Sequence, residues 1–207
     1  RQAFIKTGIG AEKKSRVISE KEKKITAYHE AGHAILFHLL PEMGPVHTIS
    51  IIPTGIGAAG YTMPLPEQDE MFNSKKKMLE NIVVDLGGRV AEELIFHDIT
   101  TGASQDIKQA TQMARAMVTQ YGMSEKVGMI QYGGDEEEVF IGRDFGHTKN
   151  YADQTAALID SEVKRIIDEA YERAKEILSQ NEEVLHKCAA LLIEKEKIGR
   201  EEFEALF

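Results

Sequence analysis

Apolar positions recur at helical spacing along most of this chain, and a strand-like run interrupts them only once. Between residues 19 and 40, Ile25, Ile35, Leu36 and Leu39 combine with Ala27, Ala31 and Ala34 in a slim helix without proline. Ser19-Glu20-Lys21-Glu22 reads as its capping box, and Pro41 as its stop. Val46 to Ile52 is β-branched and lies between Pro45 and Pro53, which predicts a strand. A glycine-rich loop over 54–60 follows, and Gly60-Tyr61-Thr62-Met63 returns as a second strand. Pro64 and Pro66 confine that strand to a sheet edge.

From about Ser74 to Phe96, Leu79, Ile82, Val83, Leu86, Val90 and Leu94 form a helical stripe. Gly87-Gly88 in its middle costs helix stability and predicts close packing against a neighbour. Another helix spans about Ser104–Gln120, with Ser104 as N-cap and Gly122 near the C-cap. The stretch from Gly133 to Lys149 is acidic and irregular. Helices follow at about Asp153–Gln180, Glu182–Glu194 and Arg200–Leu206. The expectation is a mainly α fold with one small β hairpin. Residues 1–18 read as a linker or entering arm before a single domain over 19–207. Within it, 19–130 is the core, 131–150 the irregular segment and 151–207 the C-terminal helices.

Composition narrows the function. The 207 residues are 42% hydrophobic, enough for a real core, and carry a net charge of −9. That balance argues against nucleic acid as a partner, since phosphate binding needs a basic surface. Cys188 is the only cysteine, so no internal disulfide framework exists and a reducing compartment is expected. No apolar run approaches membrane-spanning length, and no phosphate-binding loop motif occurs. The chain opens on Arg1 without a signal pattern, and reads as a soluble piece of a longer polypeptide.

The densest chemistry lies in His29-Glu30-Ala31-Gly32-His33. Residues four apart share one helix face, so both imidazoles can reach a single ion. Zn²⁺ takes neutral imidazole nitrogens and, in catalytic sites, keeps a position open for water. Glu30 beside the first histidine would act as general base. Two buried structural histidines are the plainer alternative, but a chance match arises in roughly one chain of this length per hundred or fewer. Gly32 inside the motif suggests a close approach by another backbone. His97, His147 and His186 stand at no ligand spacing and read as ordinary side chains.

The third ligand stays open on chemical grounds. A third histidine six residues beyond His33 is absent, because Leu36 and Leu39 occupy the positions of that extended motif. Glu92 and Glu93 are candidates on the second long helix. Glu93 falls near the stripe of Ile82, Leu86 and Val90 and is expected to turn inward, with Glu92 nearer the polar side. Asp106 is the other candidate, in the first turn of its helix, where the dipole favours a carboxylate.

Several segments, taken in order, resemble the proteolytic domain of the FtsH family, the membrane-anchored, ATP-dependent zinc metalloproteases. They are Glu12-Lys13-Lys14-Ser15, the run from Ala27 to Ala34, Ile51-Ile52-Pro53, and Gly60-Tyr61-Thr62. Leu86 to Glu93, Thr101 to Asp106 and Tyr121-Gly122-Met123-Ser124 continue the likeness over nearly the whole chain. The resemblance implies one Zn²⁺ per chain held by His29, His33 and Asp106, with Glu30 activating water. Glu92 and Glu93 then become outer partners of the site, and Gly60, Tyr61, Thr62 and Met63 an edge strand that binds the substrate backbone. It further implies unfolded polypeptide substrates, a homo-hexamer, and an AAA+ ATPase domain elsewhere in the same parent chain, through which alone ATP would act. The parent would sit in a bacterial inner membrane with this domain facing the cytoplasm.

Two features depart from the family's usual pattern. Thr54 follows Pro53 where a basic residue is usual, and Ile56-Gly57-Ala58-Ala59 is small and uncharged. A zinc aminopeptidase of small peptides and an inactive assembly module are the rival readings.

Overall fold

The computed structural model describes residues 18–54, 58–65, 70–133 and 151–207. The arm over residues 1–17, the Glu12–Ser15 motif, Ile56-Gly57, His147 and most of the irregular segment lie outside the described residues. In chain order the elements are α1 (Glu20–Leu39), β1 (Val46–Ser50), β2 (Tyr61–Pro64) and α2 (Lys75–Phe96). A 3-10 turn (Thr101–Ala103) leads into α3 (Ser104–Thr119), followed by α4 (Asp153–Gln180), α5 (Glu182–Lys195), β3 (Lys197–Gly199) and α6 (Arg200–Glu204). The fold is mainly α, as the apolar spacing predicts.

Ser19 caps α1, its Oγ accepting the Glu22 N–H at 3.1 Å. Every residue from Ala27 to Leu36 is buried. This exceeds a single apolar stripe, and the cause is tertiary: α1 packs against α2, α5 and the first two strands at once. The metal-motif helix is therefore the centre of the domain. Ser74 caps α2 in the same way, accepting the Lys77 N–H at 3.0 Å. Behind α2, α3 and α4 complete a helical layer whose core includes Ile35, Leu36, Ile82, Ile159, Leu178, Leu185 and Leu192.

The α1–α2 contact is set by glycines. A Cβ on Gly32 would stand 2.5 Å from the Gly87 carbonyl oxygen and 2.7 Å from the Ala91 Cβ. A Cβ on Gly87 would stand 2.7 Å from Leu36 Cδ1. Each glycine costs its helix about 1 kcal/mol relative to alanine, and the near-contact of the two backbones is what offsets it.

The sheet is antiparallel with strand order β2–β1–β3, and Ile49 pairs with Thr62 on one side and Ile198 on the other. The hairpin reading thus holds for β1 and β2, while β3 is an addition. Three residues with one apolar side chain carry no period-two signal. β3 forms because Glu196, with φ of 66°, turns the chain out of α5, and its carbonyl then accepts the Ile51 N–H at 2.9 Å. Among the described residues, β2 is left as an edge strand.

A second correction concerns α3. Ser104 is its first residue and not its N-cap. The capping side chain is Thr100, whose Oγ1 accepts the Gly102 N–H at 3.1 Å and opens the 3-10 turn. No helix among the described residues is long and apolar enough to cross a membrane.

Candidate metal centre

α1 presents His29 and His33 one turn apart, their ring centroids separated by 4.8 Å. α2 passes close enough that a Cβ on Gly88 would stand 2.3 Å from both His29 Cε1 and His29 Nε2. From the start of α3, Asp106 reaches across to both imidazoles. Its Oδ2 lies 3.1 Å from His29 Nε2 and 3.3 Å from His33 Nε2, and the two Nε2 atoms are themselves 3.1 Å apart. The three residues form a group able to hold a metal ion.

Hydrogen bonds behind the rings assign their protons. Glu92 Oε2 lies 2.7 Å from His29 Nδ1, and the Val84 carbonyl oxygen 2.7 Å from His33 Nδ1. Both partners are acceptors, so each Nδ1 carries the hydrogen and donates it. Each Nε2 then turns a lone pair towards the other and towards a carboxylate oxygen. Three acceptors facing one another need positive charge between them, from protons or from a metal. Donor atoms around a tetrahedral zinc ion lie about 3.3 Å apart, from bonds of about 2.0 Å, and the observed separations match. The residues fit zinc.

The titration behaviour has the same origin. Burial pulls the His29 pKa down, but hydrogen bonds to Asp106 and Glu92 outweigh it and push the value up to about 10. His33 is also raised, with burial opposed by its Asp106 contact. Asp106 is held well below the ordinary carboxylate range: burial opposes this, but the two histidine hydrogen bonds prevail. The cluster therefore attracts cations.

Glu30 is 8% exposed, as are both histidines. The Thr62 hydroxyl on β2 lies 3.1 Å from the Glu30 carbonyl oxygen and 3.1 Å from Glu30 Oε1, tying the edge strand to the carboxylate. A Cβ on Gly60 would stand 3.2 Å from Glu30 Cγ, so the start of this strand also lies against that side chain. Tyr61 is buried and Met63 half-buried.

The inward and outward glutamates are reversed from the sequence reading. Glu92 is 1% exposed and meets His29, whereas Glu93 is half-buried and accepts the Tyr171 hydroxyl at 2.7 Å. The glycines explain the reversal once the packing of α1 on them is known. Glu92 lies four residues after Gly88 and shares its face, and that face meets α1. The stripe of large apolar residues pointed instead towards α4. His186 is no part of this group; its Nδ1 lies 2.6 Å from the Tyr28 hydroxyl. His97 ends α2 in a left-handed conformation. Thr54 is buried, and its N–H donates to the Ala58 carbonyl at 3.0 Å.

The sequence model described as peptidase family M41 matches residues 16–206. The chain belongs to peptidase family M41. All the residues of the centre fall within the matched span. The M41 chain is 55% identical over 206 residues to ATP-dependent zinc metalloprotease FtsH 1 of Thermoanaerobacter sp. (strain X514), covering 100% of this chain and 34% of that protein. It is 55% identical over 205 residues to the FtsH of Caldicellulosiruptor bescii, covering 99% and 33%, and 49% identical over 207 residues to that of Ruminiclostridium cellulolyticum, covering 100% and 33%. The M41 chain thus spans about a third of the length of these curated relatives.

Proposed function

We propose that this chain is the zinc-dependent endopeptidase module of a membrane-anchored, ATP-driven protease that degrades unfolded or misfolded membrane and soluble proteins. The observation that carries the reading is the meeting of three atoms able to bind one ion, His29 Nε2, His33 Nε2 and Asp106 Oδ2. Zinc held there supplies Lewis-acid chemistry, polarising a carbonyl and making water acidic near neutral pH. Glu30, fixed by Thr62, accepts the proton of the attacking water at its carboxylate and delivers it to the leaving amine. The outer edge of β2, from Gly60 to Met63, offers backbone groups to an extended substrate, which would add as a further strand. Edge pairing of this kind reads backbone and not termini, and so favours cutting inside unfolded chains.

The names of the relatives include ATP dependence, and the length they have beyond this chain leaves room for an AAA+ ATPase domain in the same parent polypeptide. Assembly as a homo-hexamer, in a bacterial inner membrane with this domain on the cytoplasmic side, belongs to the same proposal. Glu30→Gln is the direct test. It should bind zinc with the wild-type stoichiometry and lose cleavage of a denatured, N-terminally acetylated protein. Retained cleavage in this variant would overturn the role of Glu30, and cleavage confined to free N-termini would overturn the endopeptidase reading.

A further inference from the structure

We propose that Thr100 is a positioning residue that couples His29 and Asp106 through a single hydroxyl; the inference rests on the zinc site proposed above. Thr100 lies between α2 and the 3-10 turn. Its Oγ1 donates to Glu92 Oε1 at 2.6 Å and accepts the Gly102 N–H at 3.1 Å. Its carbonyl oxygen accepts from Arg89 Nη2 at 3.0 Å, so the residue is anchored at the backbone as well.

The two hydroxyl bonds lead to different metal ligands. Through Glu92, whose other oxygen accepts the His29 Nδ1–H at 2.7 Å, the hydroxyl sets the plane of one imidazole. Through Gly102 it fixes the turn that starts α3, and Asp106 projects from the first turn of that helix to within 3.1 Å of His29 Nε2. The donors run in one direction, from Gly102 N–H to Thr100 O–H to Glu92, which receives His29 N–H from its far side. A carboxylate bound at both oxygens cannot rotate about its Cγ–Cδ bond. Loss of the Thr100 bond frees Oε1 and loosens His29, while loss of the Gly102 bond loosens the entry to Asp106. Outer partners of ligating histidines orient the ring and raise its basicity.

A helix cap and nothing more is the simpler role for Thr100, and it predicts an effect on α3 independent of Glu92. Coupling through Glu92 predicts otherwise. Thr100 is exposed as a residue and lies outside the apolar core, so valine at this position removes the hydroxyl without opening a cavity.

The experiment compares wild type, Thr100→Ser, Thr100→Val, Glu92→Gln and the Thr100→Val/Glu92→Gln double variant of the full chain. Zinc affinity is read by chelator competition, and ligand geometry by the visible spectrum of the cobalt-loaded protein. Thr100→Val should weaken zinc about tenfold and Glu92→Gln about 10–100-fold, the range for outer partners of ligating histidines. Thr100→Ser should stay within about twofold of wild type, because its hydroxyl is kept. Thr100→Val should shift the cobalt bands, and the double variant should lose less zinc affinity than the product of the two single losses, because only the Gly102 bond is left to lose once Glu92 is replaced. Wild-type affinity and spectrum in Thr100→Val overturn the proposal. So do an equal loss in Thr100→Ser and a double variant that shows the full product of both losses. A wild-type protein that takes up no zinc is a separate failure, that of the zinc site itself.

Discussion

The imidazole of His29 occupies the space that a side chain on Gly88 would need. A structural position of α2 and a ligand position of α1 are thereby one packing event. The same face of α2 carries Gly87 against Gly32, and Glu92 against the far nitrogen of His29. The glycines bring the helices together, and the glutamate then orients what the approach has exposed.

Alanine at position 88 follows directly from this. A Cβ there overlaps the ring itself, so His29 must leave its place or the helices must part. Gly88→Ala should weaken zinc binding at least about tenfold and lower stability by about 1–3 kcal/mol, the range for overpacked cores. Chelator competition and urea unfolding of the same protein measure both.

Asp106 and Glu93 separate on the same readout. Asp106 offers its carboxylate to both histidines, and Glu93 is engaged with Tyr171 on the other side of α2. Zinc stoichiometry should fall in Asp106→Asn and stay at the wild-type value in Glu93→Gln. The opposite pattern would replace a His-His-Asp site by a His-His-Glu one.

Glu162 gives the fold a pH dependence remote from the metal centre. Its carboxylate accepts from Arg165 Nε at 2.9 Å and from the Ser124 hydroxyl at 2.7 Å, and the Arg165 bonds, more than the Ser124 bond, hold its pKa below the ordinary value. A lowered folded-state pKa stabilises the protein at pH values above the unfolded value, about 4.3. That contribution disappears as pH falls through the folded value. Glu162→Gln should therefore cost about 1 kcal/mol at pH 7, discounted for the part-exposed Arg165. The difference from wild type should shrink as pH drops below 4. Paired urea titrations at pH 7 and in mild acid test the sign.

Cys188 serves as a reporter of unfolding. It is fully buried in α5, and burial pushes its thiol up to about 12. An aromatic disulfide reagent should fail to label the native protein at pH 8 and should label it at one thiol per chain in denaturant. Rapid native labelling would show that α5 opens locally from the core.

Much of this was legible along the chain. Ser19 and Ser74 mark helix starts that the structure keeps, and Pro45 and Pro53 bracket the strand between them. Asp153–Gln180 appears with the predicted bounds, because a long amphipathic stripe carries its own period. Three features were not legible. β3 exists only through pairing with β1. Thr100 caps a turn that the Ser104 signal obscured. Glu92 turns inward because the neighbour on its face is α1, which a periodicity count cannot identify.

Local physics in the sequence by itself determined the mainly α fold, the pairing of His29 with His33 on one helical turn, and the place of Glu30 beside them. Helical spacing and backbone caps act over a few residues and need no distant partner. Tertiary structure alone decided which carboxylate faces the two imidazoles, which glutamate holds His29 from behind, and what covers α1 on every side. Those outcomes depend on contacts between residues 63 to 77 positions apart. Such contacts form only when Gly32, Gly87 and Gly88 let two backbones close on each other.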